Sequence, residues 1–124
     1  MESSSPVHVL FVCLGNICRS PLAEGIFADV AARQGVANHV VVDSCGTAAY
    51  HAGEPPDPRS IEVAHRHGID IAMQRARRLE AEDFHRFQLI VPMDLSNERD
   101  ILSRMPPHAT CEVRRLTTFV ESPP

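Results

Sequence analysis

The chain reads as one α/β domain built on a largely parallel sheet, and three observations predict it. Short β-rich apolar runs alternate with stretches of helical periodicity. The 124 residues suffice for one hydrophobic core and are too few for two, so residues 1–124 form a single domain. The first apolar run leads through a polar turn into a helix start, which is where backbone N–H groups converge.

Val7 to Val12 is a short apolar run and predicts a buried strand. Ser20-Pro21 reads as an N-cap followed by proline at the first helical position. The helix from Leu22 to Gln34 carries Leu22, Ile26, Val30 and Ala31 at helical spacing, and Gly35 ends it. A second strand is expected over His39 to Ser44, followed by an exposed, irregular loop from Cys45 to Pro56. Asp57-Pro58 repeats the cap-then-proline pattern, for a helix from Arg59 that stops at Gly68. A short helix is expected at Ala81 to Phe87 and a third strand at Gln88 to Met93. Asp94 caps a helix to about Arg104, Pro106-Pro107 breaks the chain, and Cys111 to Phe119 reads as a fourth strand. The tail Glu121 to Pro124 then follows a strand directly, which leaves a sheet face without a helix and favours self-association.

Composition narrows the classes of function. A net charge of −4 makes a poor general binder of nucleic acid or of an anionic membrane. No apolar stretch reaches the ~20 residues of a bilayer span. Met1 to Ser5 lacks the basic start of a secretory signal, so a cytoplasmic location is expected. Cys13, Cys18, Cys45 and Cys111 match neither a disulfide framework nor a zinc pattern. No metal role is expected for them, nor for His8, His51, His65 or His67, and no cofactor is implied.

The turn Cys13-Leu14-Gly15-Asn16-Ile17-Cys18-Arg19-Ser20 carries the chemistry. Between a strand and a helix N-terminus, successive amides and the helix dipole favour an anion. Gly15 permits close backbone approach, and Asn16 tolerates a left-handed conformation. Arg19, at the far end, offers a planar fork that holds two phosphate oxygens. Cys13 lies where the strand ends, at the bottom of this electropositive cup. Such surroundings lower a thiol from about 8.5 by several units and so make a nucleophile. Ser20 is placed to donate its hydroxyl to that thiolate. Five residues between Cys13 and Arg19 are enough to wrap one tetrahedral dianion. In-line attack by the sulfur would give a phosphocysteine intermediate, with Arg19 and the amides supplying the positive charge.

Val12 to Pro21 resembles the signature loop of the low-molecular-weight protein tyrosine phosphatases. Asp43-Ser44, Pro56-Asp57-Pro58-Arg59, His67-Gly68-Ile69, Arg75-Ala76-Arg77, Asp83-Phe84 and Met93 to Asn97 resemble further family segments, in family order. The resemblance implies a four-stranded parallel sheet in the order 2-1-3-4, flanked by helices, with the loop after the first strand at a topological switch point. It implies hydrolysis of protein phosphotyrosine and aryl phosphates, with inorganic phosphate as product. Cys13 would be the nucleophile and Arg19 the phosphate clamp. Leu14, Gly15, Asn16, Ile17, Cys18 and Ser20 would complete the phosphate-binding loop. Cys18 matches the family's second loop cysteine, which pairs reversibly with the nucleophile and protects it from over-oxidation. Tyr50 falls where the family places an aromatic wall of the substrate pocket.

Two departures accompany the resemblance. The family takes its general acid from an Asp-Pro near the C-terminus, and this chain stops at Pro124, before that segment would occur. The family's last helix is expected to be missing with it. Tyrosine leaves with a pKa of about 10, so loss of the acid should impair phosphotyrosine hydrolysis. Met73 stands where many members carry a histidine that contacts the loop asparagine. The alternatives are an inactive module that binds phosphate or phosphoproteins, a phosphoarginine phosphatase, and an arsenate reductase. Ile17 opposes the second, because phosphoarginine enzymes tend to carry threonine there. Cys45 and Cys111 are misplaced for the relay of the third.

Overall fold

The computed structural model describes residues 5–48 and 50–119. The start at Met1 and the tail Glu121 to Pro124 lie outside the described residues. Four strands form one parallel sheet in the order β2-β1-β3-β4, as expected. They are β1 Val7–Cys13, β2 Val40–Gly46, β3 Leu89–Pro92 and β4 Glu112–Val113. The helices are α1 Arg19–Arg33, α2 Pro58–Arg66, α3 Asp83–Arg86 and α4 Leu95–Arg104.

Strand β1 is central, and its alternation divides the core in two. Leu10 and Val12 belong to one cluster, with Leu79, Phe84, Phe87 and Ile101. Val9, Phe11 and Cys13 belong to the other, packed against Ala23 and Phe27 of α1. Burying each large apolar side chain stabilises the fold by roughly 1.5–3 kcal/mol. Both faces of β1 are covered, which accounts for the unbroken apolar run in the sequence. On the α1 side an apolar groove of about 290 Å³ remains, lined by Phe27, Leu116 and Phe119 over Val9, Phe11, Leu89 and Val91.

Several local expectations need correction. Helix α1 begins at Arg19, and Ser20 is not its cap, because the Ser20 hydroxyl turns inward to Cys13 and Asn16. The inward stripe of α1 is Ala23, Phe27 and Ala31, while Ile26 and Val30 are exposed. Residues 37–39 form a 3₁₀ turn, so His39 lies before β2, which runs on through Cys45 and Gly46. The start of the expected exposed loop is therefore buried, Thr47 included. Helix α3 is confined to residues 83–86. The fourth strand ends at Val113 and gives way to a 3₁₀ turn at Leu116–Phe119. Thr118 closes that turn, its Oγ1 donating to the Arg115 carbonyl at 2.6 Å, while the Arg114 guanidinium stacks on Phe119. Local hydroxyl-to-carbonyl bonds of this kind compete with a strand ladder.

Candidate active site

The loop from Cys13 to Arg19 joins the end of β1 to the start of α1. Its carbonyls are tied to partners outside it. Thr47 N–H donates to Cys13 O at 2.9 Å, Ala48 N–H to Leu14 O at 3.0 Å and Asp57 N–H to Ile17 O at 2.7 Å. Ser60 Oγ donates to Cys18 O at 3.4 Å. A trans peptide sets N–H opposite C=O, so the amides of Leu14, Gly15, Cys18 and Arg19 point away from those partners. Backbone anion nests are arranged this way.

Gly46 makes the close approach possible. It lies opposite Cys13 in the β1–β2 register, and a Cβ there would sit 2.6 Å from the Leu14 carbonyl oxygen and 3.1 Å from the Asn16 nitrogen. Sequence reading assigned Gly46 only to an irregular loop, because the constraint comes from a neighbouring strand rather than from adjacent residues.

Cys13 is buried at the strand end. Ser20 Oγ lies 2.9 Å from its sulfur, and the Asn16 amide donates to the sulfur at 3.3 Å. Asn16 adopts the left-handed conformation expected of it, with φ of 60°. Its side chain is fully engaged: Nδ2 donates to Ser20 Oγ at 2.9 Å and to Ser44 Oγ at 3.0 Å, and Oδ1 accepts from Arg77 N–H at 2.9 Å. Met73 is 81% exposed, and the backbone of Arg77 supplies a donor to Asn16 instead.

Arg77 is anchored in turn, to Asp83 at 3.0 Å and Asp43 at 3.1 Å. Burial opposes its charge, but the hydrogen bond to Asp83 and the surrounding negative groups outweigh that. The guanidinium is held above its ordinary value.

A cavity of about 290 Å³ opens over the loop, lined by Cys13, Leu14, Gly15, Ile17, Cys18, Arg19, Tyr50 and His51. Every loop residue proposed from sequence lines it except Asn16 and Ser20, which stand behind the sulfur as supports. Tyr50 stands exposed in the lining. His51 was not singled out for the site, and its Nδ1 faces Glu54 Oε1 at 3.1 Å. Its position beside Tyr50, in a stretch rich in glycine and proline, was the only cue.

Asp94 was read as a helix cap alone. It does cap α4, accepting from Asn97 N–H at 2.9 Å, but its other oxygen pairs with Arg19 Nη2 at 3.0 Å. The Asn97 amide and Arg19 hold the Asp94 carboxyl below the usual range against some burial. Cys18 is exposed at the start of α1, and burial of its sulfur followed by the charge of Asp57 pushes its thiol up. Cys45 is fully buried in β2, with its thiol raised chiefly by burial.

The family model described as low molecular weight phosphotyrosine protein phosphatase matches residues 8–123. The chain belongs to this family. A Schizosaccharomyces pombe protein named low molecular weight phosphotyrosine protein phosphatase is 49% identical over 96 residues, which are 77% of this chain and 61% of that one. YfkJ of Bacillus subtilis, named a low molecular weight protein-tyrosine-phosphatase, is 40% identical over 115 residues, 93% of this chain and 74% of YfkJ. The YfkJ crystal structure superposes with a TM-score of 0.93, covering 98% of this chain and 77% of that one at 38% identity. A Drosophila arginine phosphatase structure superposes with a TM-score of 0.84 at 32% identity, covering 90% of this chain and 71% of that one. The chain thus spans about three fifths of the yeast relative and three quarters of YfkJ.

Proposed function

We propose that the chain hydrolyses protein phosphotyrosine and other aryl phosphate monoesters through a phosphocysteine on Cys13. One observation carries this reading. The Cys13 sulfur lines a cavity with two polar groups on it, the Ser20 hydroxyl at 2.9 Å and the donating Asn16 N–H at 3.3 Å, while Asp94 pairs with Arg19 of the same lining.

In the first step the Cys13 thiolate attacks phosphorus in line. The S–P bond forms, the P–O bond to the aryl group breaks, and the phenolate leaves with the electron pair and takes up a proton from water. Arg19 and the loop amides take the charge on the equatorial oxygens. In the second step water attacks phosphorus, the P–S bond breaks, inorganic phosphate departs, and the Ser20 hydroxyl stabilises the returning thiolate. The positive charge needed comes from Arg19 and the backbone, so the scheme uses no metal or cofactor.

Ile17 in the lining favours a flat apolar leaving group, with Tyr50 as the wall against which it stacks. The likeness to an arginine phosphatase gives the phosphoarginine reading some support, and Ile17 weighs against it. A general acid for the leaving group is worth about 10²–10⁴-fold, and it matters more for phosphotyrosine than for an ester of an acidic phenol. A second reading, a phosphate-binding module, rests on the same pocket. A thiolate nucleophile also suits a reducing, cytoplasmic setting. Among the described residues, no helix is long and apolar enough to cross a membrane.

The test compares release of an acidic phenol with hydrolysis of phosphotyrosine, for the chain and for its Cys13→Ser variant. Phenol release that Cys13→Ser abolishes supports the enzyme. Phosphate binding without phenol release points to the binding module.

A further inference from the structure

Glu24, on the second turn of α1, is a half-buried carboxylate that the scheme above leaves unused. It accepts from Ser44 Oγ at 2.6 Å, and Ser44 lies on β2 beside the loop. We propose that Glu24 is a positioning residue for the nucleophile. By taking the Ser44 proton it sets the direction of the chain Glu24–Ser44–Asn16–Ser20–Cys13, and leaves the Ser20 proton aimed at the sulfur. This inference rests on the reading of Cys13 as nucleophile.

Counting protons gives the direction. An ionised carboxylate has none to offer, so the single Ser44 hydroxyl proton goes to Glu24, in a short charge-assisted bond. Ser44 Oγ can then only accept from Asn16, which donates to it at 3.0 Å. The Asn16 amide is held in this orientation from both ends, by Ser44 as acceptor at Nδ2 and by Arg77 N–H, which donates to Oδ1. Its two Nδ2 protons are therefore both spent, one on Ser44 and one on Ser20. Ser20 Oγ is an acceptor toward Asn16 and keeps its own proton. The sulfur of Cys13 at 2.9 Å receives it, the competing acceptor being the Cys45 carbonyl at the longer distance of 3.5 Å.

The surroundings agree with a carboxylate kept for this purpose. The groups facing Glu24 are Ser44 and Asp43 from β2 and Arg77 from the segment before α3. Burial raises its acid range, the Ser44 bond lowers it, the Asp43 charge raises it and Arg77 lowers it, for a net rise. Arg77 is already engaged by Asp43 and Asp83, so the counter-charge is shared.

The experiment measures kcat/KM on an aryl phosphate and the pH dependence of Cys13 alkylation by iodoacetate, with inorganic phosphate as protectant. Glu24→Ala should lower kcat/KM about tenfold, as loss of one charge-assisted bond predicts, and move the alkylation midpoint upward. A simple field effect predicts the opposite, since removing a negative charge favours the thiolate. Glu24→Gln keeps an acceptor and should show less than half of each effect. If Glu24 acts through Ser44, either variant should add nothing in a Ser44→Ala background. A downward or absent shift, or additive effects with Ser44→Ala, overturns the inference. Should Glu24→Ala fail to fold, the Glu24→Gln cycle with Ser44→Ala decides. If phosphate fails to protect Cys13 in the unaltered chain, the phosphatase reading itself falls, and that result is distinct from unshifted variants.

Discussion

Arg19 Nη2 lies 3.0 Å from Asp94 Oδ2, joining the first residue of α1, which lines the cavity, to the cap of α4. A cation at a helix N-terminus opposes the macrodipole, so Arg19 is unfavourable there for helix formation. Asp94 offsets this and fixes the direction of the guanidinium. The side chains of Arg19 and Asp94 are 53% and 42% exposed, so the pair itself contributes only about 0–1 kcal/mol to stability. Its consequence is positional.

Asp94→Asn should separate these roles. Asparagine caps a helix as well as aspartate does, so α4 should persist. Arg19 would lose its tether, and kcat/KM on aryl phosphates should fall about tenfold, the equivalent of one charge-assisted hydrogen bond. Because the folded-state pKa of Asp94 is lowered, its contribution is present above the ordinary carboxylate range of about 4 and is lost only as pH falls below it. Steady-state kinetics beside a urea melt would show activity lost with stability kept; equal loss of both would contradict the assignment.

Gly46→Ala should damage the loop from outside it. Its Cβ would meet the Leu14 carbonyl oxygen at 2.6 Å, a backbone atom that cannot swing aside. Overpacking of this kind costs about 1–3 kcal/mol. Phosphate affinity should weaken along with the urea midpoint, and a variant with unchanged phosphate affinity would show that the loop has room to shift.

Arg77→Met should be severe for stability. Asp83 is buried and accepts from both Nη atoms of Arg77 at 3.0 Å, so removal leaves a buried acid without its partner. The expected cost is about 3–5 kcal/mol by denaturant titration. Asp43→Asn should cost less, because Asp43 is partly exposed.

Cys18 bears on oxidation. Peroxide would convert the Cys13 thiolate to a sulfenic acid, and attack by Cys18 sulfur would form the disulfide and release water. Burial and then Asp57 raise the Cys18 thiol, so disulfide formation should accelerate with pH through and above the ordinary thiol range of about 8.5. Asp57→Asn keeps a capping residue and should speed the reaction at neutral pH. Peptide mapping should find Cys13 joined to Cys18; pairing through Cys45 or Cys111, or a rate indifferent to pH, would refute this.

The α/β class and the loop were legible because they depend on local signals, an apolar run, a turn and a helix start in sequence, whereas the strand order came from the family resemblance. Asn16 was legible as a left-handed residue for the same reason. Ser20 was misread as a cap because its pattern with Pro21 fits one, while its partners lie behind the sulfur and in β2. Asp94 was half legible, since one carboxylate oxygen obeys the capping rule and the other answers to a distant arginine. Gly46, Ser44 and Glu24 matter through contacts between β2, α1 and the loop, which no sequence periodicity encodes. The fourth strand is shorter than expected because Thr118 and Arg114 bond locally and curl the chain.

The central claim is a phosphoryl group carried on Cys13. The most direct measurement is a rapid denaturing quench of the protein turning over an activated aryl phosphate, followed by phosphorus NMR and peptide mapping. A thiophosphate signal on the peptide containing Cys13, absent in Cys13→Ser, is the predicted result. Phenol release at a normal rate with no phosphorylated cysteine, or with phosphate on another residue, would contradict it.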